Sequence, residues 1–287
     1  MTYNEICMAL AEAEIENNRG EAAMLICHYC NINKAELFRM HDTDFESSEL
    51  EEAVIKRCNH YPLQYLLGYW SFCNETYRVN ENTLIPRADT ERLVELAIKN
   101  LPEKARFIDL CTGSGCIAIS TLAARGDCRG VAVDLYKEAL EMAAENAETN
   151  GVGERLGFLC ADVLAPDFME GLGTFDCILS NPPYIESAEI ADLAEELSYE
   201  PRTALDGGDD GLDFYRAIIG GYGKYLNRGG IMLLEIGWDQ AKAVSQIAAE
   251  NRFRCEVFKD YGGNDRVALL TVAERKNSDM MDIAAEL

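Results

Sequence analysis

The chain has 287 residues, enough for one large domain and a small one, and its 48% hydrophobic and 26% charged composition is that of an ordinary globular protein. No apolar run approaches the roughly 18 residues needed to cross a bilayer. The start, Met1 to Leu10, carries Glu5 and no basic stretch, so the expectation is a soluble cytoplasmic protein without a signal peptide.

With 26 Lys and Arg against 50 Asp and Glu, the net charge of -24 disfavours phosphate backbones, whose binding needs basic residues to displace counterions. From Thr2 to about Gly68 apolar residues recur at helical spacing, as in Ile6, Leu10 and Ala13, then Ala22, Leu25, Ile26 and Tyr29. Further helices are expected near Lys34 to Met40 and from Ser48 to Asn59, and Pro62 punctuates the chain. Residues 1–68 therefore read as a small helical bundle domain. The single C-x-x-C, Cys27 to Cys30, falls in this helical stretch with no second pair at zinc-finger spacing; it reads as a helix face, and the eleven cysteines as free thiols.

Residues 69–88 change character. Phe72, Tyr77, Val79 and Leu84 with Asn-rich turns between them predict a hairpin linker. From 89 to 274 strands and helices alternate. Strands are expected at Arg106–Leu110, Gly130–Asp134, Gly157–Leu159, Phe175–Ser180, Ile231–Glu235, Arg254–Phe258 and Val267–Val272. Helices include Thr90–Asn100, Tyr136–Asn150 and Asp239–Asn251. Alternation of this kind implies an α/β fold with a mostly parallel sheet. The last two strands are joined only by Tyr261 to Asp265, too short for a parallel crossover, so the last strand should run antiparallel. The tail 275–287 extends past that strand and reads as disordered or weakly helical.

The first strand runs straight into Asp109, Leu110, Cys111, Thr112, Gly113, Ser114 and Gly115, and a helix is expected next. Glycines there let the backbone turn sharply and approach a ligand. Asp134, 19 residues beyond Gly115, ends the second strand, where a carboxylate can accept ribose hydroxyls. Gly113-x-Gly115-x-x-Ala118 also satisfies the dinucleotide fingerprint. Two details favour S-adenosylmethionine: Asp109 can take the amino group of its methionine part, and an antiparallel end strand is unlike the usual nicotinamide domain.

The fourth strand ends in Asn181, Pro182, Pro183 and Tyr184, which a parallel sheet sets beside the cofactor loop. An amide nitrogen is a poor nucleophile because its lone pair is delocalised into the carbonyl. The Asn181 side-chain oxygen and the Pro182 carbonyl can each accept one hydrogen of such an NH2, aiming it at a sulfonium methyl. Pro183 stiffens the turn, and Tyr184 can pack on a flat substrate group.

These four residues resemble the N-P-P-Y motif of amino-methyltransferases. Together with Pro62 to Gly68, Leu84 to Glu91, Tyr199 to Leu205, Leu234 to Trp238 and Asp260 to Arg266, they identify the chain as similar to the HemK/PrmC family over about residues 20 to 272. The resemblance implies a seven-stranded Rossmann-like methyltransferase fold, an N-terminal domain that grips the substrate, and S-adenosyl-L-methionine as cofactor. It implies transfer to the glutamine of the Gly-Gly-Gln tripeptide in peptide-chain release factors, with no direct contact to nucleic acid or membrane. The enzymatic alternative is an adenine amino-methyltransferase acting on DNA or RNA. Cofactor contacts are implied at Asp109, Cys111 to Gly115, Asp134, Asp162, Val163 and Asn181, and substrate contacts along Asn181 to Tyr184. Cys111 stands where the family has glycine, Val163 where an aromatic often meets the adenine, and Ala88 where a second proline is usual.

Overall fold

The computed structural model describes residues 1–40 and 42–273; the tail expected at 275–287 lies outside the described residues. Five helices come first: α1 (Tyr3–Glu12), α2 (Asn18–Tyr29), α3 (Lys34–Arg39), α4 (Ser48–Cys58) and α5 (Leu63–Leu67). Local chemistry sets their ends. Thr2 with Glu5, and Asn33 with Glu36, form reciprocal capping boxes, and the Ser47 hydroxyl accepts the Leu50 N–H at 3.2 Å. Pro62 opens α5 and Gly68, at φ 73, closes it in the left-handed conformation. The inward faces, including Ile6, Leu10, Leu25, Ile26, Leu50 and Leu63, bury an apolar cluster of their own. Cys27 and Cys30 pack against that cluster as partly buried groups, and all eleven cysteines are free thiols.

β1 (Tyr69–Phe72) and β2 (Glu75–Arg78) form the antiparallel hairpin. Two buried side chains fasten it to the larger domain. Tyr77 is fully buried with its hydroxyl 2.6 Å from Ser120 Oγ, and the buried Asn146 side chain brackets Arg78 by accepting its N–H and donating to its carbonyl.

Seven further strands build one sheet: β3 (Arg106–Leu110), β4 (Arg129–Asp134), β5 (Leu156–Cys160), β6 (Phe175–Ser180), β7 (Leu226–Glu235), β8 (Phe253–Lys259) and β9 (Asp265–Val272). Their order is β5-β4-β3-β6-β7-β9-β8. The first five are parallel, and β9 lies antiparallel between β7 and β8, as the short connecting loop requires. Around the sheet stand α6 (Glu91–Asn100), α7 (Cys116–Ala124), α8 (Lys137–Thr149), α9 (Asp213–Tyr222) and α10 (Ala241–Glu250). Successive strand residues enter opposite cores, Phe107, Cys177 and Leu179 on one face, Ile108, Ile178 and Leu234 on the other.

The elements differ from expectation mainly at their ends. β7 starts at Leu226, five residues before Ile231, across a register shift opposite Phe175 and Cys177. Thr90 closes a 3-10 turn, Ala88–Thr90, and α6 proper begins at Glu91. Between β6 and α9 run three short 3-10 turns, Ile190–Asp192, Glu195–Tyr199 and Arg202–Ala204. This stretch reaches back to the first helices. Glu196 pairs with Arg57 at 2.5 Å, and the Tyr199 hydroxyl donates to the Asn59 carbonyl at 2.8 Å. Among the described residues no helix is long and apolar enough to cross a membrane.

Candidate active site

The strand order reverses at β3, which pairs with both β4 and β6. Loops leaving neighbouring strands on opposite courses open a crevice at their carboxyl ends. A cavity of about 410 Å³ occupies that place.

The loop after β3 crosses its floor. Cys111, Gly113 and Gly115 take φ values of 58, 54 and 81, all left-handed. Gly115 is needed twice over, because a Cβ there would sit 2.8 Å from Ile119 Cδ1 and 3.1 Å from the Ala143 methyl, on the helix behind. A Cβ on Gly113 would meet no atom, so that position faces open space. Cys111 adopts the glycine-like conformation while its side chain packs at the edge of the core, at a strain of about 1 kcal/mol.

Asp134 holds this loop from β4. Its Oδ2 accepts the Gly113 N–H at 2.9 Å and its Oδ1 the Tyr136 N–H at 3.1 Å. Each oxygen keeps lone pairs for hydroxyl donors. Burial raises the proton affinity of this carboxyl, and the backbone N–H groups oppose the rise.

Cys111, Thr112, Gly113, Ser114, Asp134, Asp162, Val163, Asn181 and Pro183 all line the cavity. Asp109, Gly115, Pro182 and Tyr184 do not. Asp109 is fully buried behind the loop, where it accepts the Thr112 hydroxyl at 2.6 Å and its Oδ1 has no hydrogen-bond partner. Burial pushes its carboxyl up to about 7, with the Thr112 hydrogen bond pulling the other way. Its contact with the loop therefore runs through Thr112. Tyr184 is half-buried beneath the turn, its hydroxyl 3.4 Å from Glu235 Oε1 and its carbonyl taking the Gln240 amide at 2.9 Å.

Asn181 donates its Nδ2 hydrogen to Thr90 Oγ1 at 3.3 Å, which turns Oδ1 the opposite way. The turn it belongs to is clamped by residues 205–213. Ile185 and Asp206 form a β-bridge, and a Cβ on Gly207 would lie 2.7 Å from Tyr184 Cα.

The wall also contains residues that no local pattern assigns. Arg87 pairs with the buried carboxylate of Glu200, which also accepts the Ile85 N–H at 3.1 Å. Leu135 and Tyr136 are the exposed apolar groups beside Asp134, and Asp206 and Asp213 form an acidic side. Arg87 and Glu200 both sit in stretches that carry the family resemblance, but their pairing spans 113 residues.

The site suits S-adenosylmethionine. Ser114 Oγ is a buried wall atom with no partner of its own, the Gly113 position is open, and Asp134 lines the wall with lone pairs to spare for hydroxyl donors. A carboxylate opposite a glycine turn, under a sheet whose last strand runs backwards, marks the chain as an S-adenosylmethionine-dependent methyltransferase. Relatives and neighbours agree. Residues 2–68 match the model described as the PrmC N-terminal domain, and residues 89–210 that of the methyltransferase small domain. A methyltransferase from Pyrococcus furiosus shares the fold at a TM-score of 0.50 and 21% identity, over 68% of this chain and 86% of that one. The release factor glutamine methyltransferase of Thermodesulfovibrio yellowstonii is 39% identical over 261 residues, 88% of this chain and 92% of that protein. Its counterpart in Geobacter sulfurreducens is 38% identical, over 90% of this chain and 91% of that protein. The chain belongs to the release factor glutamine methyltransferase family.

Proposed function

We infer that this enzyme transfers a methyl group from S-adenosyl-L-methionine to the side-chain amide nitrogen of the glutamine in the Gly-Gly-Gln tripeptide of release factors. The observation that carries the reading is the Asn181 side chain, tethered through Nδ2 so that its acceptor oxygen is free of Thr90, on the wall that Gly113 and Asp134 share. When bound, the cofactor supplies a methyl group on a positively charged sulfur.

The residues of this chain do the positioning. Asn181 Oδ1, on the cavity wall, and the carbonyl of Pro182, next to it in the turn though outside that wall, are the acceptors that would hold the two amide hydrogens and direct the nitrogen lone pair along the line of transfer. Both favour the more positive nitrogen that develops as the new bond forms. The amide proton becomes acidic only after transfer, so little base assistance is required beforehand. Asp134 would take the ribose hydroxyls, with Ser114 and Asp162 as further polar contacts. The first helices, tied through Arg57–Glu196 and Tyr199–Asn59 to the stretch that enters the cavity wall at Pro201, are the part that would grip a protein substrate.

The net charge of -24 favours a basic protein partner over DNA or RNA, the alternative substrates of an N-P-P-Y enzyme. The test is methyl transfer from labelled S-adenosylmethionine to a release factor, its Gly-Gly-Gln to Gly-Gly-Ala variant, and DNA in parallel. Label on the wild-type factor alone is expected. Label on DNA, or equal label on the Gly-Gly-Ala variant, overturns the reading.

A further inference from the structure

The reacting turn has few donors with which to anchor itself. Pro182 and Pro183 carry no N–H, so two of its four residues can hydrogen-bond only through a carbonyl. The Pro182 carbonyl is the one given to the substrate. The Tyr184 carbonyl, which ends the turn, is taken by the side chain of Gln240 at 2.9 Å.

Gln240 occupies the N-cap of α10, where short side chains such as Ser, Thr or Asp usually bond an N–H of the first turn. Here the side chain makes no such bond. Its amide joins three other segments instead. Nε2 donates to the Tyr184 carbonyl and, at 3.2 Å, to the Gly211 carbonyl. Oε1 accepts the Gly237 N–H at 3.0 Å, just past the end of β7. The hydroxyl of the fully buried Tyr215 stands 3.3 Å from the same oxygen and also donates to the Glu235 carbonyl at 2.9 Å. Two carbonyls only accept and a backbone N–H only donates, so the partners themselves fix which way round this amide lies. The fit is close. Gly211 sits at φ 68, and a Cβ there would run into the Tyr184 carbonyl oxygen and lie 2.8 Å from Gln240 Nε2.

We propose that Gln240 is a positioning residue for methyl transfer: its side-chain amide ties the Asn181–Tyr184 turn to the 205–213 loop and to the end of β7, and so sets where Asn181 Oδ1 and the Pro182 carbonyl stand. Gln240 does not line the cavity, so its effect on the reaction runs through the turn. Pro183, with its fixed φ, passes a shift of the Tyr184 carbonyl back to Pro182 with little damping. The 205–213 loop brings Gly207, Gly208 and Asp213 to the wall, so the same amide sets that wall against the turn. On the cofactor side, Gly113 and Asp134 hold each other through their own hydrogen bond. The proposal rests on the acceptor role inferred for the turn and adds what keeps it in register.

Gln240→Met keeps the length and removes both donors, and Gln240→Glu keeps the shape but sets an acceptor against two carbonyls. In both, kcat is expected to drop about ten-fold or more, with Kd for S-adenosylmethionine and KM for the release factor nearly unchanged. Should Gln240→Glu fail to fold, Gln240→Met decides alone. A second readout needs no turnover. The Ile185 N–H belongs to the peptide unit whose carbonyl Gln240 holds, and it donates to the Leu205 carbonyl at 3.0 Å. Its amide NMR signal should shift in both variants, while that of Gly113 stays in place. An unmoved Ile185 signal in Gln240→Met overturns the proposal whatever the substrate proves to be. A moved signal with wild-type kcat on a working release-factor assay overturns it as well, and so does a loss of cofactor affinity as large as the loss of kcat. A wild-type enzyme that labels no release factor would instead strike at the proposed function, and the Ile185 and Gly113 signals would still decide whether Gln240 holds the turn.

Discussion

The Gly113 N–H donates to Asp134 Oδ2 at 2.9 Å, so one carboxylate both fixes the turn after β3 and faces the cavity that turn bounds. Asp134→Ala should remove both effects. Hydrogen bonds to a charged group contribute about 1.5 to 3 kcal/mol each, so cofactor affinity is expected to fall on the order of 100-fold. Calorimetric titration with S-adenosylmethionine or its demethylated product reads this directly, and an unchanged Kd would dissociate Asp134 from the ribose.

Gly207 tests how closely the turn at Asn181 is clamped. It is not at a positive φ, so only space decides its substitution. A Cβ would come within 2.7 Å of Tyr184 Cα and 2.9 Å of the Pro183 carbonyl, both backbone atoms that cannot swing aside. Gly207→Ala is expected to lower kcat on the order of 100-fold, in line with a misplacement of about 1 Å near the chemistry. Steady-state kinetics check it, and a kcat close to wild type would mean the turn relocates harmlessly.

Arg57 holds together the first helices and the stretch leading to the cavity. Its side chain, 5% exposed, reaches Glu21 and Glu196, each at 2.5 Å. Arg57→Ala leaves Glu21 largely buried without its partner, and removal of one member of such a pair costs about 3 kcal/mol or more. Glu196 is 41% exposed, so Glu196→Gln should cost under about 1 kcal/mol. Urea denaturation of the two variants should separate them clearly; equal losses would contradict the asymmetry.

The buried Asp109 predicts a pH dependence of stability. Burial raises its carboxyl to about 7 in the folded chain, from an ordinary 3.8. The folded state therefore binds the proton more tightly than the unfolded one. This contribution is fully present below the unfolded value and is lost as pH rises towards about 7, with no further change above it. The full swing is on the order of 4 kcal/mol, and Asp109→Asn should remove it. Melting temperatures of the two proteins between pH 5 and 8 give the comparison: their difference should change across that interval, and a constant offset would refute the assignment.

Much of this arrangement is legible in the chain itself, and the reason is local. The strand that ends in Asp109 and the glycine turn after it, the acid closing β4 and the Asn-Pro-Pro-Tyr closing β6 are contiguous patterns that alternation places at one edge of a sheet. The antiparallel β9 follows from a loop too short to cross over. The hidden remainder depends on distant pairing. Thr90 reads as the first residue of a helix, and only the fold shows it at the cap with its hydroxyl turned to Asn181, 91 residues away. Asp109 looks like a ligand because it adjoins the loop, yet β3 points its side chain inward, behind Thr112. Tyr184 stands next to the reacting turn in sequence but lies under it in space, against Glu235. Glu200 and Arg87 meet because the 3-10 stretch folds back, and that stretch has no periodicity to betray its path.

The placement of β9 also bears on how the protein is born. This strand, Asp265–Val272, is the last of the sheet to be synthesised yet lies inside it, between β7 and β8. Until it leaves the ribosome, β7 keeps an open edge and β8 has no neighbour in the sheet. The pocket residues, from Asn82 to Phe214, are all made earlier, but the sheet behind them cannot close. The framework behind the pocket is thus completed only after every residue that lines the pocket has been made.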